Sequence, residues 1–362
     1  MNRRLALLPV TAALLTAAAC SSGSGSGSSN PAATTTAAVE AKPASLTLVA
    51  YSAFARPDAL DAFTASTGIK VEIVDAGDTG AMVSKAVLTA GKPEGDVLWG
   101  VDDPNVSRVL DANVFSDHPA ADAAALDPAL TGYLPALTPV DVGDVCLNID
   151  KAWFADHGVT PPTGFDDLVA PAYKDLLVVE NPSTSSPGLG FLLATIASKG
   201  TDGYLGYWKQ LRANGVKVDD SWDTAYESSF TAGGGGGDRP IVVSYASSPP
   251  ATIVFAEDPK PTEPTTASID PTCYRLAEYA GVLAGGAHPV ASGQLLDFLV
   301  SKQFQEELPM TNFVYPARTD AVLPDLFATF APRPASPLRL DPADIAKHRE
   351  EWIDAWTTAV LR

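Results

Sequence analysis

A chain of 362 residues exceeds what one hydrophobic core usually serves, so two lobes with separate cores are expected. Its 24 Lys and Arg stand against 43 Asp and Glu, and the resulting formal charge of −19 has the wrong sign for a nucleic-acid backbone or an anionic lipid surface. Nucleic acid is therefore disfavoured as a partner and a cationic small molecule is permitted, although the acidity alone is equally that of a solvated, soluble surface.

Arg3 and Arg4 precede an apolar run over residues 5–19, which has the length of a signal-peptide core and is too short to span a bilayer as a helix. The run closes on Ala17, Ala18, Ala19 and Cys20, with Ala17 where lipoprotein signals usually carry Leu. The pattern resembles such a signal. Residues 1–19 are expected to be removed and Cys20 lipidated, an ordinary cleaved signal being the alternative. Residues 20–44, rich in Ser and Gly and then in Ala, Thr and Pro, cannot bury enough apolar surface to fold and read as a disordered tether. The chain is thus expected to be exported and anchored on the cell membrane, facing the periplasm or the cell exterior. No later segment is long and apolar enough to span a bilayer, so a membrane channel would have to be another chain. Cys146 and Cys273 make an even pair that an oxidising compartment favours as a disulfide.

Strand-like runs at 46–51, 70–74 and 96–101 alternate with helix-like segments at 57–67 and 81–90, the pattern of an α/β sheet. Ligands on such sheets sit beyond the carboxyl ends of the strands. That rule selects Tyr51, Asp102, Asp103 and the loop at 77–80 with Asp78. Residues 142–144 read as a short polar turn at a first lobe crossing, before a strand at 145–149, and a strand at 274–281 carries the chain back. An N-terminal lobe of residues 45–143 plus 274–310 and a C-terminal lobe of residues 148–271 are expected, hinged near Gly143. Residues 311–362 would pack across both, ending in an amphipathic helix over 342–361 with Trp352 and Trp356 on its packing stripe. The glycine run at 233–237 lacks a following Gly-Lys-Ser/Thr and reads as a floppy connector, not a phosphate loop.

In NPSTSSPGLG (181–190), Ser183, Thr184, Ser185 and Ser186 offer hydroxyls where Pro187-Gly188 can open a helix. Such a helix start reads either as an anion seat or as a plain cap. Trp222, in the polar segment SWDTAY (221–226), and Tyr245, ending the strand-like run 241–244, read either as ligand contacts or as core. Asp78 is a turn former or a ligand carboxylate.

These segments, with GVDDP (100–104), VVSYASSP (242–249) and NFVYPAR (312–318), together resemble the periplasmic thiamine-binding proteins of bacterial ABC importers. The resemblance runs from about residue 47 to the end. It implies an α/β, two-lobe type II periplasmic-binding-protein (flytrap) fold with a hinge and an interlobe cleft. It further implies a monomer that captures thiamine, thiamine monophosphate or thiamine diphosphate without a cofactor and delivers it to an ABC permease and its ATPase subunits. Ligand contacts are implied at Tyr51, Asp78, Asp102, Ser185, Trp222, Tyr245 and Phe313, with Ser186, Gly188, Tyr226 and Tyr315 around them. Ser185 matches a serine at the phosphate end of the ligand, and Tyr51 and Asp78 match a tyrosine and an aspartate that contact thiamine. The tyrosine and tryptophan that sandwich the pyrimidine in the family align with Ala251 and Phe313. Each lost stacking face is a deficit of about 0.5–1.5 kcal/mol unless Phe255, Tyr226 or Tyr315 substitutes, so another cationic small molecule stays open as cargo.

Two further readings follow from related folds. Thiaminases of the first type use a cleft cysteine, a role Cys146 could take only as a free, stabilised thiolate. Ferric-ion capture needs a tyrosine pair with carboxylate or His support, but the sequence has no Tyr-Tyr dipeptide, and His118, His157, His288 and His348 lack metal-ligand spacing. No metal site is expected. Nucleophile-elbow, H-E-x-x-H and C-x-x-C motifs are absent. Asp102 and Asp103 are neighbours that would face opposite ways on a strand, which argues against paired-carboxylate chemistry. An enzyme is not expected.

Overall fold

The computed structural model describes residues 41–51 and 57–362. The expected export signal, Cys20 and the expected tether up to residue 40 lie outside them. The strands are β1 (Ser45–Ala50), β2 (Lys70–Asp75), β3 (Val97–Asp102), β4 (Phe115–Ser116), β5 (Thr138–Asp150), β6 (Leu177–Glu180), β7 (Lys217–Asp219), β8 (Ile241–Tyr245), β9 (Thr266–Leu283) and β10 (Tyr315–Pro316). The helices are α1 (Asp61–Thr67), α2 (Thr79–Leu88), α3 (Val106–Asp111), α4 (Lys151–His157), α5 (Ser186–Lys199), α6 (Tyr204–Ala213), α7 (Ala251–Val254), α8 (Pro289–Leu299), α9 (Lys302–Thr311), α10 (Asp325–Phe330) and α11 (Pro342–Val360).

One continuous sheet runs in the order β2-β1-β3-β9-β5-β8-β6-β7, with β4 on β9 and β10 on β5. Its flanks are parallel, β1 with β2 and β3 on one side, β6 with β7 and β8 on the other. Parallel strands lie under helices on both faces, so β3 (VLWGVD) and β6 (LVVE) are buried along their whole length. Two apolar cores follow. One gathers Leu48, Trp99, Leu295 and Phe304; the other gathers Phe191, Trp208, Ile353 and Trp356. Trp208 and Trp356 meet edge to face at 5.4 Å, so the stripe read on α11 is a packing stripe.

The centre of the sheet is antiparallel, β5 pairing with β9 from Thr138↔Ala280 to Asp150↔Thr266. This corrects the reading of residues 142–144 as a turn: Val142, Gly143 and Asp144 lie inside β5, and β9 begins well before residue 274. Asp144 can be strand because its buried carboxylate takes a two-point contact from Arg275 of β9, Nε–Oδ1 at 2.5 Å and Nη2–Oδ2 at 3.0 Å. Gly143 is needed where it is, since a Cβ there would stand 2.9 Å from the Tyr245 ring. Cys146 and Cys273 form a disulfide between the two strands, beside the irregularity between Val145 and Leu147. The glycine run is not a loose connector either. It is packed on a π-helical turn at Thr224–Ser229, where a Cβ on Gly233 would stand 1.8 Å from the Tyr226 carbonyl oxygen. Among the described residues no helix is long and apolar enough to cross a membrane.

Candidate ligand-binding cleft

Segments beyond the carboxyl ends of β1, β2, β6, β7 and β8 converge on one cavity of about 580 Å³, within the size range of small-molecule sites. Of the sequence-derived residues, Tyr51, Asp78, Ser186, Trp222, Tyr226, Tyr245 and Phe313 line it. Strand ends and helix termini place most of them. Tyr51 follows β1 and Tyr245 ends β8, while Ser186 opens α5 behind the N-cap Ser185. Trp222 precedes the π-helical turn, a feature concentrated at functional sites, and that turn supplies Tyr226. Phe313 holds a left-handed backbone, φ 54°, a conformation that non-glycine residues adopt at a cost and that clusters at ligand sites.

The Trp222 indole is pinned by Nε1 donating to the Ser244 hydroxyl at 3.0 Å and by stacking on Tyr226, ring centres 4.8 Å apart and 19° from parallel. Asp78 occupies the N-cap of α2 without capping it and reaches across the cleft, accepting from the Trp222 backbone N–H at 3.3 Å. Burial raises the Asp78 pKa, against the pull of that N–H and of the Ser185 hydroxyl beside it. Two more contacts join the lobes: the Gly80 N–H donates to the Thr184 carbonyl at 2.9 Å, and the Ser186 hydroxyl donates to Asp102. The lobes are closed on the cavity.

Four expected contacts are not in the lining. Asp102 is fully buried, held by Ser186 and by Asn105 at 2.6 Å, so it braces the start of α5 instead of facing cargo. Ser185 is buried beside Asp78. Gly188 lets α5 approach β6, since a Cβ there would lie 2.6 Å from the Glu180 carbonyl oxygen. Tyr315 is core, its hydroxyl donating to the Ala331 carbonyl at 3.0 Å and its ring facing Arg333.

The family model for bacterial extracellular solute-binding proteins matches residues 58–334. The chain belongs to that family. It is 28% identical over 328 residues to the thiamine-binding periplasmic protein of Salmonella typhimurium, covering 89% of this chain and 95% of the relative. The thiamine-binding periplasmic protein of Escherichia coli is 28% identical over 333 residues, 90% of this chain and 96% of the relative. A solved structure titled periplasmic thiamin binding protein superposes with a TM-score of 0.77 at 26% identity, covering 88% of this chain and 96% of that one. The fold is the two-lobed type II periplasmic-binding arrangement.

This solute-binding protein also carries lining residues that the sequence reading missed. Asp223 and Glu227 stand at the rim, Asn312 donates to the Tyr51 hydroxyl at 3.4 Å, and Glu278 of β9 lies at the floor. Glu278 left a signal, a single acid in the apolar run LAEYAGVL, where an unpaired carboxylate is expensive. Phe255 lines the mouth one helical turn beyond Ala251, 66% exposed, with its ring 5.4 Å from that of Phe313. The cysteine-nucleophile reading loses its nucleophile, because the Cys146 sulfur is bonded to Cys273.

Proposed function

We propose that the chain is the cargo-capturing subunit of an ABC importer, that thiamine is its preferred cargo, and that it delivers this to a permease and its ATPase subunits. One observation carries the reading. The cleft is lined by the rings of Tyr51, Trp222, Tyr226, Tyr245, Phe255 and Phe313 and by the carboxyls of Asp78, Asp223, Glu227 and Glu278, with no Lys, Arg or His among the described lining residues. Aromatic faces and carboxylates attract a permanent organic cation such as a thiazolium. The names of the relatives point to the same ligand.

The α5 start offers Ser186 and Pro187 to a phosphate, but the Asp78 carboxylate lines the same cavity and repels one. Unphosphorylated thiamine is therefore expected to bind more tightly than the diphosphate. Phe255 beside Phe313 stands in for the family's missing stacking face. No cofactor is proposed. Cys20 is proposed to carry the lipid that keeps a monomeric chain at the membrane, and Cys20→Ala should release it into the soluble fraction.

The test is isothermal titration of the exported chain with thiamine, thiamine monophosphate and thiamine diphosphate, each mixture checked for cleaved thiazole. Tight binding led by thiamine, with the ligand recovered intact, supports the proposal. Heat from none of the three would move the cargo to another cation, and cleavage would make the protein an enzyme.

A further inference from the structure

Three carboxyls cross the centre of the sheet in one row. Glu278 of β9 pairs directly with Asp102 of β3 on one side and with Asp141 of β5 on the other. Residues directly opposite in antiparallel strands project to the same face. The outer two are held in place, Asp102 by Ser186 and Asn105, Asp141 by the Trp99 indole N–H at 2.8 Å. Glu278 is only 8% exposed, lines the cavity, and leaves Oε2 without a hydrogen-bond partner; Asp141 Oδ1 is also unpartnered.

The groups facing Glu278 offer no compensating charge. They are Asp141 on β5, Asp102 on β3, the Tyr51 hydroxyl after β1 and the Tyr245 hydroxyl on β8; Arg349 of α11 acts on Asp102 and on its neighbour Glu350. Burial first, then repulsion from Asp141 and Asp102, pushes Glu278 well above the usual carboxylate range, and burial raises Asp141 to about 7. A buried polar atom without a partner is costly and calls for one. Asp78, the other candidate counter-charge, already accepts an N–H from Trp222 and is partly solvated.

We propose that Glu278 is the counter-ion that meets the cationic ring of the cargo at the floor of the cleft, and that capture expels a proton from the Glu278–Asp141 pair into solvent. The proposal rests on the cargo being an organic cation. A positive charge beside the pair favours its ionised form, so the bound state holds fewer protons than the free one. Affinity therefore rises with pH, by up to about tenfold per unit for one proton released, until the pair is already ionised in the free protein.

The test is titration of the exported chain with thiamine near neutral pH in buffers of different ionisation enthalpy. The observed heat should vary linearly with buffer enthalpy, with a slope equivalent to release of about one proton. Glu278→Gln should flatten that slope and weaken binding by at least about tenfold, while Asp78→Asn should keep the slope whatever it does to affinity. The wild-type slope needs no variant to fold. Binding with heat that is the same in every buffer, or proton release that survives Glu278→Gln, would overturn the proposal and leave the cargo reading standing. Absence of binding would overturn both.

Discussion

The parallel flanks of the sheet and its antiparallel centre are built from different materials. The flanks β2-β1-β3 and β8-β6-β7 are short strands that alternate with helices; their ion pair Lys85–Glu94, at 2.5 Å, stands half-exposed at the surface, while Asp102 of β3 and Glu180 of β6 are single carboxyls buried at strand ends. The centre, β5 and β9, carries Asp141, Asp144, Arg275, Glu278 and the disulfide in one buried ribbon. The flanks give each lobe a shape, whereas the ribbon that both lobes share holds the buried Arg275–Asp144 ion pair and the Asp141–Glu278 carboxyls. A cation captured over that ribbon acts at once on the cleft floor and on the strands that join the lobes.

The largest expected effect separates the two materials. Arg275→Ala leaves the fully buried Asp144 carboxylate unpaired and should cost about 3–5 kcal/mol in urea unfolding, because burial already pushes that carboxyl upward and Arg275 is the foremost group opposing it. Lys85→Ala removes a flank ion pair of similar length and should cost less than about 1 kcal/mol. Equal losses from the two variants would refute the distinction. Next in size is the staple. The disulfide closes a sequence separation of 127 residues, and Cys146→Ala with Cys273→Ala should cost about 2–5 kcal/mol by the same assay. Cargo binding should persist in the double variant at temperatures where it is folded, since neither sulfur lines the cavity.

The same contrast explains what the sequence could show. The β2-β1-β3 flank was legible because its signals are local: β1, β2 and β3 follow from apolar runs with helix patterns between them, and α11 follows from its stripe of Ile345, Trp352, Ile353 and Trp356. Of the cleft, the aromatic and serine segments were legible because turn chemistry puts them at strand ends. The ribbon was not. Gly143-Asp144 looks like a turn until Arg275, 131 residues away, neutralises the aspartate. Glu278 acquires meaning only from Asp102 and Asp141, each on a neighbouring strand distant in sequence. Tyr315 misled for the converse reason: its partner, the Ala331 carbonyl, lies in a later loop with no pattern of its own.

A smaller substitution tests whether closure, not contact, sets the affinity. Gly80 sits in the first turn of α2, and a Cβ there would stand 2.6 Å from the Ser183 carbonyl oxygen and 2.7 Å from that of Thr184, backbone atoms of the other lobe. Gly80→Ala suits the helix of its own lobe and touches no lining position, so the unliganded chain should keep its stability to within about 0.5 kcal/mol. The closed state alone is penalised. Cargo affinity depends on the fraction of molecules that can close, so a penalty of about 1.4 kcal/mol would weaken binding roughly tenfold. Small-angle scattering should then show the chain with cargo more open than the wild type at matched saturation. Unchanged affinity in Gly80→Ala would mean that the cross-lobe contacts at 80–184 are incidental, and that the carboxyls of the central ribbon hold the cargo without help from closure.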